Sequence, residues 1–185
     1  MDKIRVLAFA GSLRTESFNR ALIKTAKMVA PENMEVEIFD LNGIPIYNQD
    51  DEGNPPKAVS EFKRKVREAD AILISTPEYN RSIPGVLKNA IDWASRPYGD
   101  NSFDDKPVGL LGATGGSFVG TAVAQYHMRT IFSFLNMHPL ERPMLFVTES
   151  SKKISDGVFT EEHTVNALKD FMESLAKWTA RISKG

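Results

Sequence analysis

The sequence contains no cysteine. Disulfides, thiolate metal sites, cysteine nucleophiles and Cys-ligated clusters are therefore excluded, and the composition is compatible with the cytoplasm. An excess of charge of one sign is also missing: 23 basic and 24 acidic residues leave a net charge of -1. Nucleic-acid binding needs a basic face to neutralise phosphates, so the balance argues against it, and equally against a strongly acidic electron carrier. Long apolar runs are absent, and no window approaches the roughly 20 residues of a membrane-spanning helix. Met1-Asp2-Lys3-Ile4 leads straight into a strand-like segment, without the basic and apolar regions of a secretory leader. His127, His138 and His163 stand apart, and none pairs at a metal-ligand spacing. The expectation is a cytoplasmic protein that binds neither membrane, nucleic acid nor metal.

What is present is a chain of 185 residues with 42% hydrophobic and 25% charged residues, the size and balance of one globular domain over 1–185. Short apolar runs alternate with helical periodicities. Ile4 to Ala10, Met34 to Leu41, Ala71 to Ser75, Val108 to Ala113 and Met144 to Thr148 read as strands. Helices are expected over Asn19 to Val29, Lys57 to Glu68, Pro84 to Ser95, Val119 to Leu135 and Glu161 to Ile182, with a turn at Asp156-Gly157. Fivefold strand–helix alternation predicts an α/β three-layer sandwich: a five-stranded parallel sheet with helices on both faces. The common order for that count is the flavodoxin-like 2-1-3-4-5.

In such a sheet a ligand sits beyond the carboxyl ends of the strands, where strand order reverses. The loop after the first strand reads Gly11-Ser12-Leu13-Arg14-Thr15-Glu16-Ser17-Phe18-Asn19. Its hydroxyls, Arg14 and the helix start behind them suit a phosphate monoester. Helix capping by Ser17 or Asn19, with Arg14 as a solvated cation, explains the same residues. It is not a P-loop, for it lacks Gly-Lys-Ser/Thr. The loop after the third strand, Ser75 to Pro84, offers Tyr79 as an aromatic wall, Asn80 as a hydrogen-bonder and backbone N–H groups for a planar heterocycle; an ordinary Pro-bounded connection is the alternative. After the fourth strand, Gly112 to Gly120 carries glycines that let backbone lie close to a ring system, at a spacing irregular for a dinucleotide fingerprint.

Together these motifs resemble the NAD(P)H-dependent FMN reductase family, including its chromate- and quinone-reducing members. The matching residues are Gly11-Ser12-Leu13-Arg14 with Ser17 and Asn19, Pro77-Glu78-Tyr79-Asn80 with Ser82-Ile83-Pro84-Gly85, Leu87 to Trp93, and Gly115-Gly116 running into Ala124 to Arg129. The resemblance spans nearly the whole chain. It implies that Ser12, Arg14, Ser17 and Asn19 surround the FMN phosphate. It also implies that Pro77, Glu78, Tyr79, Asn80 and Ser82 line the isoalloxazine, largely through backbone, and that Gly115, Gly116 and Ser117 close the other side. By that resemblance hydride passes from NAD(P)H to FMN and then to a quinone, flavin, azo compound or metal oxyanion such as chromate, in ping-pong turnover. The chemistry belongs to the cofactor, so no catalytic side chain is required.

Relatives of this kind are dimers or tetramers, so a homodimer or homotetramer is expected. Gln125, Tyr126, His127 and Arg129 would then form a subunit interface or a nucleotide rim, or else a solvated helix face. Trp93 and Trp178 read as core or interface. The segment Arg96 to Lys106, with Tyr98 and Phe103, would overhang the flavin or form a surface excursion. Arg14, Arg81 and Arg96 are each candidates for the 2′-phosphate of NADPH, and spacing does not choose among them. Two other classes share the fold. A flavodoxin-type carrier without NAD(P)H activity is disfavoured by the near-neutral charge and the Ser-Leu-Arg turn. A phospho-receiver domain needs acids where this chain has Ala10-Gly11-Ser12 and Ser75-Thr76-Pro77.

Overall fold

The computed structural model describes residues 3–116 and 119–183. Its strands are β1 (Ile4–Ala10), β2 (Met34–Phe39), β3 (Ala71–Ser75), β4 (Pro107–Ala113), β5 (His138–Pro139), β6 (Leu145–Val147), β7 (Ile154–Ser155) and β8 (Val158–Phe159). The helices are α1 (Phe18–Met28), α2 (Lys57–Glu68), α3 (Gly85–Ala94), α4 (Ala122–Phe134) and α5 (Glu162–Ile182). The parallel sheet has the order β2-β1-β3-β4-β5, as the alternation predicts.

The fifth lane of the sheet departs from expectation. It is shared by two short segments, β5 opposite Pro107 and Val108 and β6 opposite Leu111 to Ala113. Pro139 ends the first segment, and a proline, lacking an N–H, is tolerated on such an edge lane. The turn at Asp156-Gly157 joins an antiparallel hairpin, β7 with β8, that the sequence did not reveal as strands. Both turn residues have positive φ, 52° and 76°, the backbone that a two-residue hairpin favours.

Apolar clusters cover both faces of the sheet. Leu22, Ala26, Leu168, Phe171 and Leu175 from α1 and α5 pack on one face, against Val6, Ala8 and Leu73. Phe62, Leu87, Ile91, Met128 and Phe132 from α2, α3 and α4 pack on the other, against Leu7, Phe9, Ile72 and Ile74. This is why β1 and β3 read as unbroken apolar runs: residues alternate sides, and both sides are inside. Trp93 is core, donating from Nε1 to the Pro45 carbonyl at 2.8 Å. Phe103 is also buried, and Lys106 reaches the carbonyls of Arg67 and Ala69 just before β3 begins. The segment Arg96 to Lys106 therefore lies at the amino ends of the strands, away from their carboxyl ends.

Candidate flavin site

At the carboxyl ends of β1, β3 and β4 the three loops enclose a cleft of about 280 Å³. Ser12, Arg14, Ser17, Asn19, Pro77, Glu78, Tyr79 and Gly115 all line it, together with Phe18, Ala113 and Thr114. Asn80, Ser82 and Gly116 are not among the lining residues, and Ser117 lies outside the described residues.

Gly11 opens the first turn by donating its N–H to the Ser75 carbonyl at 2.8 Å. Its requirement for glycine is close packing: a Cβ there would meet Pro84 Cγ at 3.0 Å and Leu87 Cδ2 at 3.1 Å. Ser12 is buried beneath the turn, and its Oγ accepts weakly from Arg14 N at 3.4 Å. Ser17 is the N-cap of α1, accepting from Arg20 N at 3.4 Å. That long bond leaves the hydroxyl free to serve a ligand as well. The N–H groups of Phe18 and Asn19, in the first turn of α1, have no partner among the described residues. The Arg14 guanidinium lies 4.8 Å from the centre of the Phe18 ring and has no carboxylate partner among the described residues. Two hydroxyls, an unpaired guanidinium and a helix start are the donor set of a phosphate monoester, so the residues present fit that end of FMN.

Asn19 does structural work that its place in the phosphate turn does not reveal. Its carboxamide is buried, donating from Nδ2 to Ala113 O and accepting from Ala113 N, both at 2.9 Å. Its Oδ1 also accepts from Ser75 Oγ at 2.8 Å. One side chain thus fastens the ends of β3 and β4 to the first turn of α1, and its third polar contact leaves at most one N–H for a ligand.

In the second loop Tyr79 and Ser82 exchange backbone hydrogen bonds at 3.0 and 2.9 Å across a tight turn. Asn80 and Arg81 occupy that turn with φ of 51° and 60°, a conformation costing non-glycine residues about 1–3 kcal/mol each. It leaves the N–H groups of Glu78, Asn80 and Arg81 without partners among the described residues, as the edge of a heterocycle would need. The Glu78 carboxylate is turned away, accepting from Ala124 N at 3.2 Å in the first turn of α4. Ser82 Oγ lies 3.2 Å from His127 Nδ1. Two contacts therefore tie this loop to α4, and Tyr79 stays half exposed at the mouth.

In the third loop, a Cβ on Gly115 would come 3.2 Å from Phe18 Cε2, so a side chain there would have to push the Phe18 ring aside. Gly116 N bonds Thr114 Oγ1 at 3.3 Å, and its carbonyl accepts from Glu149 N at 2.9 Å. The expected helix from Val119 begins later, at Ala122, because Gly120 adopts φ of 66°. The polar group on α4 divides. Gln125 is buried, donating to Thr121 Oγ1 and the Leu145 carbonyl, and Arg129 pairs with Glu141 at 3.0 Å. Only Tyr126 and His127 face outward. Phe18, Ala113 and Thr114 were missed as lining residues; their signal was position alone, at strand ends already marked as ligand-bearing.

The NADPH-dependent FMN reductase family model matches residues 4–152. An NAD(P)H-dependent FMN reductase of Pseudomonas aeruginosa is 42% identical over 184 residues, covering 98% of both chains. A 2-hydroxy-1,4-benzoquinone reductase of a Burkholderia species is 38% identical, covering 95% of this chain and 96% of its own. Among solved structures, FerB from Paracoccus denitrificans, a flavoenzyme NAD(P)H:(acceptor) oxidoreductase, superposes with a TM-score of 0.87 at 34% identity, covering 96% of this chain and 97% of its own. With the three loops, their order and the sheet in agreement, the chain belongs to the NADPH-dependent FMN reductase family.

Proposed function

We propose that this NAD(P)H-dependent flavin oxidoreductase holds FMN in the cleft at the ends of β1, β3 and β4 and reduces quinones. The observation that carries the reading is the convergence of an unpaired Arg14, two serine hydroxyls, free turn N–H groups and Gly115 on one cleft. Bound FMN supplies the hydride chemistry. Arg14, Ser12 and Ser17, with the first N–H groups of α1, hold the phosphate, and Asn19 holds the three loops in register. The N–H groups of Glu78 and Asn80 meet the ring edge, where they stabilise negative charge that builds on reduction. Pro77 and Tyr79 wall one side, Ser82 braces the turn, and Gly115 and Gly116 give close approach on the other.

Quinones are favoured as acceptors because the Burkholderia relative is named for a benzoquinone and several plant relatives for quinones. Free flavin, azo compounds and chromate are the remaining acceptor classes. The reading includes a cytoplasmic homodimer or homotetramer joined through the outward face of α4, where Tyr126 and Phe134 are exposed. No helix among the described residues is long and apolar enough to cross a membrane.

Initial rates measured against NAD(P)H at several benzoquinone concentrations test the reading. Parallel double-reciprocal lines are expected, since nucleotide and quinone use one place in turn. Intersecting lines would contradict a shared site. Retained FMN without NAD(P)H turnover would leave a flavodoxin-type carrier.

A further inference from the structure

Continuous with the cleft lies a groove of about 450 Å³ between α1 and the β7–β8 hairpin. Arg14, Ser17 and Phe18 line both spaces, so a ligand can pass from one to the other over the Phe18 ring. The groove ends at Lys24, two helical turns beyond the Ser17 cap, or roughly 10 Å along the axis. There the Lys24 ammonium stands over the hairpin turn, 3.9 Å from where a Cβ on Gly157 would be. Ile154 gives the far wall an apolar surface.

The charges of this groove are distinctive for being unspent. Arg20 pairs with Asp40 at 2.6 Å. Arg14 and Lys24 have no carboxylate partner among the described residues, and the acid that shares the lining is Glu16. The other candidate cations are committed elsewhere. Arg81 pairs with Glu78 at 3.4 Å. Arg96 pairs with Glu52 at 2.7 Å and stacks 4.0 Å from the Tyr98 ring, near the amino ends of the strands.

A reduced nicotinamide must stand in the cleft to meet the flavin, and the rest of its dinucleotide has to leave along some surface. We infer that this groove takes the phosphate-bearing end of NAD(P)H: Arg14, held by the flavin phosphate, marks its cleft side, and Lys24 meets the nucleotide phosphate at the far side. The inference rests on the flavin reading of the cleft. Two phosphates share the required chemistry, the pyrophosphate common to both nucleotides and the 2′-phosphate of NADPH alone. Lys24 plays no part in flavin binding, so it separates the two questions.

The experiment uses FMN-loaded protein carrying Lys24→Gln or Lys24→Glu. KM is measured for NADPH and NADH, and 2′,5′-ADP and 5′-ADP are titrated calorimetrically. With kcat and FMN content unchanged, Lys24→Glu should raise KM about tenfold, and Lys24→Gln should raise it less. A change confined to NADPH and 2′,5′-ADP assigns the 2′-phosphate to Lys24. A change in both nucleotides and both probes assigns the pyrophosphate. Unchanged KM values with unchanged probe binding would overturn the inference, as would loss of FMN from Lys24→Glu. A wild-type protein that takes up no FMN would instead overturn the flavin reading itself.

Discussion

Ser75 Oγ donates to Asn19 Oδ1 at 2.8 Å, joining residues 56 positions apart at the meeting point of the three cleft loops. The same carboxamide holds both backbone groups of Ala113. Asn19→Ala would leave three buried polar groups without partners, at about 1–3 kcal/mol each before relaxation. A net loss of about 3 kcal/mol is expected, which lowers Tm by roughly 6–12 °C in a chain of this size. Calorimetric melting checks it; a Tm within about 2 °C of wild type would show that the clamp is dispensable.

Gly112 is the tightest approach in the site. A Cβ there would stand 2.1 Å from Thr121 Oγ1 and 2.5 Å from the Thr76 carbonyl oxygen, and the latter is backbone that cannot swing aside. Gly112→Ala is expected to cost 3 kcal/mol or more, at the upper end of about 1–3 kcal/mol for overpacking. Gly85→Ala, where a Cβ meets nothing within 4 Å, should change stability by less than about 1 kcal/mol and in the favourable direction. Urea midpoints of the two variants, compared side by side, decide the matter.

The parts of the fold legible in the sequence were those long enough to show a burial pattern, on both faces of a strand or on one face of a helix. β1 and β3 match their apolar runs residue for residue, and α2 matches its periodicity from Lys57 to Glu68. Elements fixed by pairing were not legible. β5 and β7 are two residues each, too short for a periodicity, and depend on their partners Pro107–Val108 and Val158–Phe159. In the site, residue types announced the phosphate turn, but the carboxamide of Asn19 and carboxylate of Glu78 are spent on Ala113 and Ala124. Those destinations lie 94 and 46 residues away, and local sequence carries no trace of them. Gly11 was legible as the opening of the loop, but its contact with Pro84 and Leu87, 73 and 76 residues away, was not.

Glu52 sets an acid dependence of stability. Hydrogen bonds from Arg96 first, and Tyr47 second, hold its carboxyl below its ordinary value of 4.5. A carboxyl depressed in the folded state contributes stability that is full above pH 4.5 and lost as the pH falls through the lowered folded value. Glu52→Gln should therefore lower the urea midpoint near neutral pH, and the gap to wild type should close as the pH drops below 4.5. A gap of constant size across that range would assign the loss to packing.

Arg14 is expected to anchor the flavin phosphate by charge. Removing a charged hydrogen-bond donor costs about 1.5–3 kcal/mol, so Arg14→Ala should weaken FMN binding by roughly 10- to 150-fold. Because that contact is partly exposed, the remaining affinity should also fall less steeply with added salt. Fluorescence titration of flavin-free protein with FMN at low and high salt measures both. Equal affinity and equal salt response in the variant would remove Arg14 from the site.

The most direct test of the flavin-oxidoreductase reading is an anaerobic titration of the FMN-loaded protein with NADPH and with NADH, followed by absorbance. The expected result is stoichiometric bleaching of the visible flavin band by at least one nucleotide, and its full return on adding benzoquinone. A protein that takes up no FMN, or whose bound flavin keeps its colour with both nucleotides, would contradict it.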